Sequence, residues 1–144
     1  AARAAGDKVI HVRHEFEAED APFFAPGSDG ARTHASVLPQ ADEAVVLKHQ
    51  VNAFLGTDLK AQLDAAAIEQ VTLVGAMSHM CIAAAARASA DFGYVTTVVH
   101  DACATHDQTF DGITVDAAQV HAANMAALAF AYAQVVSTEQ YLPG

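Results

Sequence analysis

Basic residues are scarce in this chain. Lysine and arginine number 7 against 17 aspartates and glutamates, a formal net charge of −10. Binding nucleic acid or an anionic membrane needs a basic face, so both are poor partners. The acidity itself speaks mainly to solubility. Cysteine is scarcer still: Cys81 and Cys103 are the whole thiol inventory. Two cysteines in 144 residues make no disulfide framework, and no CxxC pair offers half of a zinc site. A reducing, cytoplasmic setting is the expectation. Long unbroken apolar runs are missing too. The most apolar stretch, residues 117–133, is interrupted by Gln119, His121 and Asn124, which argues against a membrane span. No charged segment leading into an apolar core opens the chain, as a secretory signal would.

What remains is largely apolar. Hydrophobic residues make up 53%, enough for a buried core and too many for disorder. The length fits a single domain over residues 1–144, and neither an internal repeat nor a linker interrupts it. "AARAAGD" reads as the tail of a helix stopped by Gly6. "KVIHVRH" (8–14) and "EAVVLK" (43–48) read as strands. Between them lies a long loop with three of the four prolines and one turn of helix near 35–38. Loops of this length are often lids or binding loops. Residues 57–67 fit a helix capped by Thr57 or Asp58. "VTLVG" (71–75) is the unbroken apolar run of a buried parallel strand. A helix over 80–92, with Ser78 as cap and Gly93 as stop, a strand over 94–100, a helix over 115–133 and a strand over 134–138 complete the series. Strands alternating with helices predict a three-layer, doubly wound parallel sheet.

Ligand sites of such sheets lie at the carboxyl ends of strands. Cys81 follows the end of "VTLVG" and opens a helix. Unpaired backbone N–H groups and the positive end of the helix dipole both favour a thiolate there, the form that attacks. Free cysteines are more often small buried hydrophobes. Lys48 closes the run "AVVL", so it too stands at a strand's carboxyl end, where an ammonium can stabilise a thiolate. A solvated lysine at a strand terminus is the commoner case.

The segments "VVLKHQVNAFLGTDLKAQL", "VTLVGAMSHMCIAAAARASADFGYVTTVVHDACAT" and "VVSTEQYL" resemble the isochorismatase-like cysteine hydrolases, a family that includes nicotinamidases and N-carbamoyl amidohydrolases. The resemblance runs from about residue 1 to residue 142. Lys48, the Phe54–Gly56–Thr57 signature and the spacing from Gly75 to Cys81 occur in order. It implies an Asp–Lys–Cys triad, in which Cys81 matches the nucleophile and Lys48 the lysine. It also implies a cis peptide at Ala76–Met77, which would aim the amides of Met77 and Cys81 at a substrate oxygen as an oxyanion hole.

One departure stands out. The family's aspartate ends a first, central strand, and this sequence has no such strand. Asp7 precedes a strand rather than ending one, so the role is not transferred to it. The expectation is therefore an N-terminally incomplete domain, lacking its first central strand and most of the first helix.

The resemblance implies a cofactor-free enzyme that cleaves a carbon–nitrogen bond of a small amide or ureido compound through an acyl-enzyme on Cys81. Homo-oligomers are common in the family, and the alanine-rich helices at 80–92 and 115–133 have little polar face. No metal is expected. Arg13 falls about where a nicotinamidase would have a metal aspartate, and His11 and His14 make no ready metal fork. His14, Phe24 and His79 are candidates for the substrate wall, although core aromatics and a surface-loop histidine are the blander readings. His121 shares a helical stripe with Met125, Leu128 and Tyr132, which reads as a satisfied core histidine. Cys103 receives no chemical role. Two alternatives stay open. One is a catalytically incomplete relative that binds a ligand or partner. The other is a thiol redox or regulatory protein.

Overall fold

Isoleucine and valine at alternate positions make residues 10–14 an extended segment, and a second such segment lies at 44–48. In the computed structural model, which describes residues 1–142, these become β1 (Ile10–His14) and β2 (Ala44–Lys48). They pair in parallel with His14 opposite Lys48. A one-turn helix, α1 (Ala2–Ala5), precedes them and is closed by Gly6, whose φ of 80° is the left-handed conformation of a helix stop. The loop between the strands holds two 3-10 turns, at Asp29–Ala31 and Ala35–Val37. Glu43 ties this region together: it accepts hydrogen bonds from Arg3 Nε at 2.6 Å and the Gln40 amide at 2.8 Å, and pairs with His11 Nε2 at 2.8 Å. These acquired partners hold its carboxyl well below the usual range, Arg3 contributing most.

The backbone divides into two compact units, residues 1–62 and 63–144. Helix α2 (Leu59–Ala65) spans the division. The second unit is built on a parallel sheet of three strands in the order β3 (Gln70–Ala76), β4 (Val95–Ala104), β7 (Gln134–Val136). Two helices return the chain between parallel strands, α3 (Ala83–Asp91) and α4 (Ala117–Ala131). Their small residues let them lie close to the sheet. Ile82, Ala86, Val98, Met125 and Leu128 form one buried cluster. Thr96 and Ser89 are both buried, and the Thr96 hydroxyl donates to Ser89 Oγ at 2.9 Å, so this buried polar pair is satisfied. No helix among the described residues is long and apolar enough to cross a membrane.

Several elements differ from the sequence reading. The helix expected from residue 80 begins as a π turn, Ser78–Ile82, and becomes regular only at Ala83. Ser78 therefore lies inside that turn and caps nothing. The strand expected at 94–100 runs on to Ala104, with an irregular register opposite Leu73 and Gly75. A hairpin, β5 (Gln108–Phe110) and β6 (Ile113–Val115), was not anticipated. Its Asp111–Gly112 turn has φ of 48° and 74°, the mirror-image geometry that such dipeptides favour. Helix α5 (Thr138–Tyr141) was also missed, although Ser137 and Gln140 form a full capping box.

Candidate active site

Lys48 belongs to the first unit and Cys81 to the second. In the first unit the parallel register brings the last residues of β1 and β2 side by side. Lys48 is 3% exposed. Its ammonium lies 2.6 Å from Nδ1 of His14 and donates to the Gln50 carbonyl at 2.9 Å. An ammonium has no acceptor, so His14 must accept at Nδ1 and carry its proton on Nε2. That Nε2 is buried and finds no hydrogen-bond partner among the described residues. Burial, and next the charge of Lys48, push the His14 imidazole toward its neutral form, its pKa lowered from the ordinary value. The ring also packs edge-on against Phe16 and Phe24, with centroids at 4.6 and 5.8 Å.

The chain after Lys48 is pinned by local bonds. Phe54 N–H donates to Asn52 Oδ1 at 3.0 Å, and Thr57 Oγ1 donates to the Ala53 carbonyl at 2.6 Å. The Leu59 amide in turn donates to Thr57 Oγ1 at 3.3 Å, so Thr57 satisfies the first amide of α2. His11 and Arg13 point their bonds elsewhere, to Glu43 and Glu15. An open depression of about 640 Å³ in this unit is lined by Phe16, Glu17, Asp20, Phe23, His49 and Gln50. Neither His14 nor Phe24 lines it.

In the second unit β3 ends at Ala76, and the Ala76–Met77 peptide is cis. The π turn follows, closed by Ile82 N–H donating to the Met77 carbonyl at 3.2 Å. Single π turns inside helices concentrate at functional sites. Cys81 is half-buried in this turn, two residues before α3. His79 bonds Thr105 Oγ1 through Nδ1 at 2.6 Å, and its ring meets His106 edge-on at 5.7 Å. Burial, then the neighbouring His106, lower its pKa, with Gln108 opposing. Ser78 is fully buried, and its hydroxyl pairs with His121 Nδ1 at 2.8 Å. Cys103 lies opposite Gly75 in the sheet and donates its thiol to the Val99 carbonyl at 3.4 Å. Among the described residues no three His, Cys, Asp or Glu side chains are grouped as metal ligands.

Two pairings escaped the sequence reading. His14 and Lys48 both end strands, and a parallel pairing of those strands was the signal that joins them. The Ser78–His121 contact spans 43 positions and left no local mark.

A model of the isochorismatase domain matches residues 1–140. The chain belongs to the isochorismatase family. Bacillus subtilis YddQ, an uncharacterized member, is 43% identical over 140 residues, 97% of this chain and 78% of that protein. A crystal structure from Oleispira antarctica assigned to the isochorismatase hydrolases superposes with a TM-score of 0.93 at 60% identity, covering 99% of this chain and 75% of the other. A streptothricin hydrolase of Streptomyces noursei is 37% identical over 106 residues, 74% of this chain but 38% of that enzyme. These likenesses establish the α/β isochorismatase fold and place the chain among the family's hydrolases.

Proposed function

We propose that the protein hydrolyses a carbon–nitrogen bond of a small amide or ureido compound, with Cys81 as nucleophile. The observation that carries this reading is the position of Cys81: half-buried in a π turn at the carboxyl end of β3 and the start of α3. The likeness to a streptothricin hydrolase supports hydrolysis of a small molecule.

In this reading the Cys81 thiol gives up its proton and its sulfur attacks the carbonyl carbon. The amides of Met77 and Cys81 receive the developing oxyanion. The tetrahedral intermediate collapses, the C–N bond breaks, and the amine leaves with a proton. Water then hydrolyses the thioester, releasing the acid and regenerating the thiol. Lys48 supplies a fixed positive charge that favours the anionic forms. The proton acceptor is a carboxylate by family resemblance. No residue of this sequence is assigned that role. His14, Phe24 and His79 stand as substrate-wall candidates, His79 within the turn that carries Cys81.

The same reading makes the protein cytoplasmic and a homo-oligomer, with no metal or cofactor. Helix α4 has no charged residue, and Phe130 on it is 91% exposed, which supports burial against a second copy. Light scattering that returns the monomer mass at micromolar concentration would remove the oligomer.

Ammonia release from a panel of amides and ureides tests the activity. Release that disappears in Cys81→Ala supports it. No release from any compound, or equal release by the variant, defeats it. Ligand capture without turnover would instead favour a binding protein, and peroxide-dependent, thiol-reversible loss of the Cys81 thiol would favour a redox role.

A further inference from the structure

Cys81 sits between two anchor points that both lead to α4. Three residues before it, the Ser78 hydroxyl is wholly buried and its hydrogen bond goes to His121 Nδ1. One residue after it, Ile82 packs in the cluster that contains Met125 and Leu128 of the same helix. Helix α4 is itself fixed at its start. Asp116 caps it by accepting from Gln119 N–H at 2.9 Å, and Asp107 accepts from Ala117 N–H at 2.8 Å. A buried hydroxyl left without a partner is costly, so the turn cannot shift away from His121 without penalty. The turn is tied to the chain after β4 as well, by His79 Nδ1 on Thr105 Oγ1 at 2.6 Å, and the Ser78–His121 bond is its polar tie to α4.

We propose that His121 is a positioning residue: through Ser78 it fixes the turn that presents the Cys81 sulfur. The proposal rests on the reading of Cys81 as the reactive thiol. The His121 ring also borders an open depression of about 340 Å³ with His100, Asp101, Cys103 and Thr105, and the His100 ring lies 6.3 Å away. The contact that matters is the one at Nδ1.

The atom-level claim sets the experiment. An asparagine amide at position 121 falls where Nδ1 lies, whereas a glutamine amide falls one bond further out, near Nε2. The rate of Cys81 alkylation by iodoacetamide, followed by peptide mass so that Cys103 is scored separately, is measured for His121→Asn, His121→Gln, His121→Phe, Ser78→Ala and the Ser78→Ala/His121→Phe double variant. His121→Phe and Ser78→Ala are each expected to slow alkylation by about three- to tenfold, the range of one hydrogen bond. The double variant should be no slower than the worse single one, because both remove the same link. His121→Asn should recover most of the rate and His121→Gln should not. If the Phe or Ala variants do not fold, the Asn and Gln pair still decides. Equal rates for Asn and Gln, additive effects in the double variant, or a wild-type rate in variants that melt lower would overturn the proposal. Where turnover is found, kcat should fall with KM little changed. Alkylation needs no substrate, so an enzyme without amidase activity would sink the functional reading and leave this test intact.

Discussion

The ammonium of Lys48 and the Nδ1 of His14 lie 2.6 Å apart at the adjacent ends of β1 and β2. The geometry requires a neutral imidazole, and burial and the lysine charge lower its pKa. The sign of the pH effect follows. Unfolded, the histidine takes a proton near pH 6.5; folded, it does so only at lower pH. Between those two values the unfolded state holds more protons, so stability rises with pH. It is complete above about 6.5 and is lost as pH falls through the folded value. His79, lowered by its own burial and by His106, acts in the same direction. Urea unfolding at pH 5.0 and 7.5 should show the loss. His14→Asn, which keeps an acceptor near Nδ1, should reduce the pH difference without abolishing it. An unchanged difference would show that His14 does not titrate in this way.

Lys48 is buried, so its removal cannot be repaired by solvent. Lys48→Met keeps the length and apolar stem but deletes the charge, and leaves His14 Nδ1 without its donor. If the functional reading holds, kcat/KM for the best amide should fall by at least about 100-fold, the scale on which a positioned charge or proton-transfer group contributes. Lys48→Arg should fall nearly as far, since a planar guanidinium does not fit an ammonium's enclosed site. Full activity in Lys48→Met would remove the lysine from the mechanism.

The two cysteines should behave differently toward an alkylating reagent. Burial, opposed by the Gly75 backbone and helped by Asp101, raises the Cys103 thiol above its ordinary value, and its proton is directed at the Val99 carbonyl. The thiolate is the reacting form. Iodoacetamide at pH 8 should therefore label Cys81 well before Cys103, as read by peptide mass. Cys103→Ser should leave turnover unchanged. Equal labelling of both would contradict the burial argument.

The strands were legible because their apolar runs are short and bounded by glycine or charge: "VTLVG" and "AVVLK" appear as β3 and β2 within a residue or two. The α/β class followed from their alternation with alanine-rich helices. The start of α3 was not legible, because a π turn and an α-helix use the same residues and differ only in which carbonyl Ile82 reaches. The role given to Ser78 failed for the same reason. A serine before a helix reads as a cap, yet here its hydroxyl answers a tertiary partner 43 positions away. The β5–β6 hairpin is a different kind of miss. Its Asp–Gly turn is a local signal, but flanking strands of three residues each are too short to show a periodicity. At the site, Lys48 and Cys81 were visible from their places at strand ends. The His14–Lys48 pair needed the register of β1 on β2, which no single segment contains.

The end of α2 offers a stability test independent of any function. Ala67 N–H donates to the Asp64 carbonyl at 2.9 Å and Ile68 N–H to the Leu63 carbonyl at 3.0 Å. This is the paired closure in which the residue after the cap adopts the left-handed conformation, usually as glycine. Here that residue is an alanine, with φ of 51°. Its Cβ meets the neighbouring carbonyl in this conformation at a cost of about 1 kcal/mol. Ala67→Gly removes the clash but adds freedom to the unfolded chain, which returns part of the gain. The balance should still favour glycine, by about 0.5 kcal/mol. The urea midpoint should therefore rise with the slope unchanged. Ala66→Gly, one residue earlier, should lower it, because no positive φ is relieved there. A fall in the midpoint for Ala67→Gly would mean that the left-handed turn is not formed at Ala67.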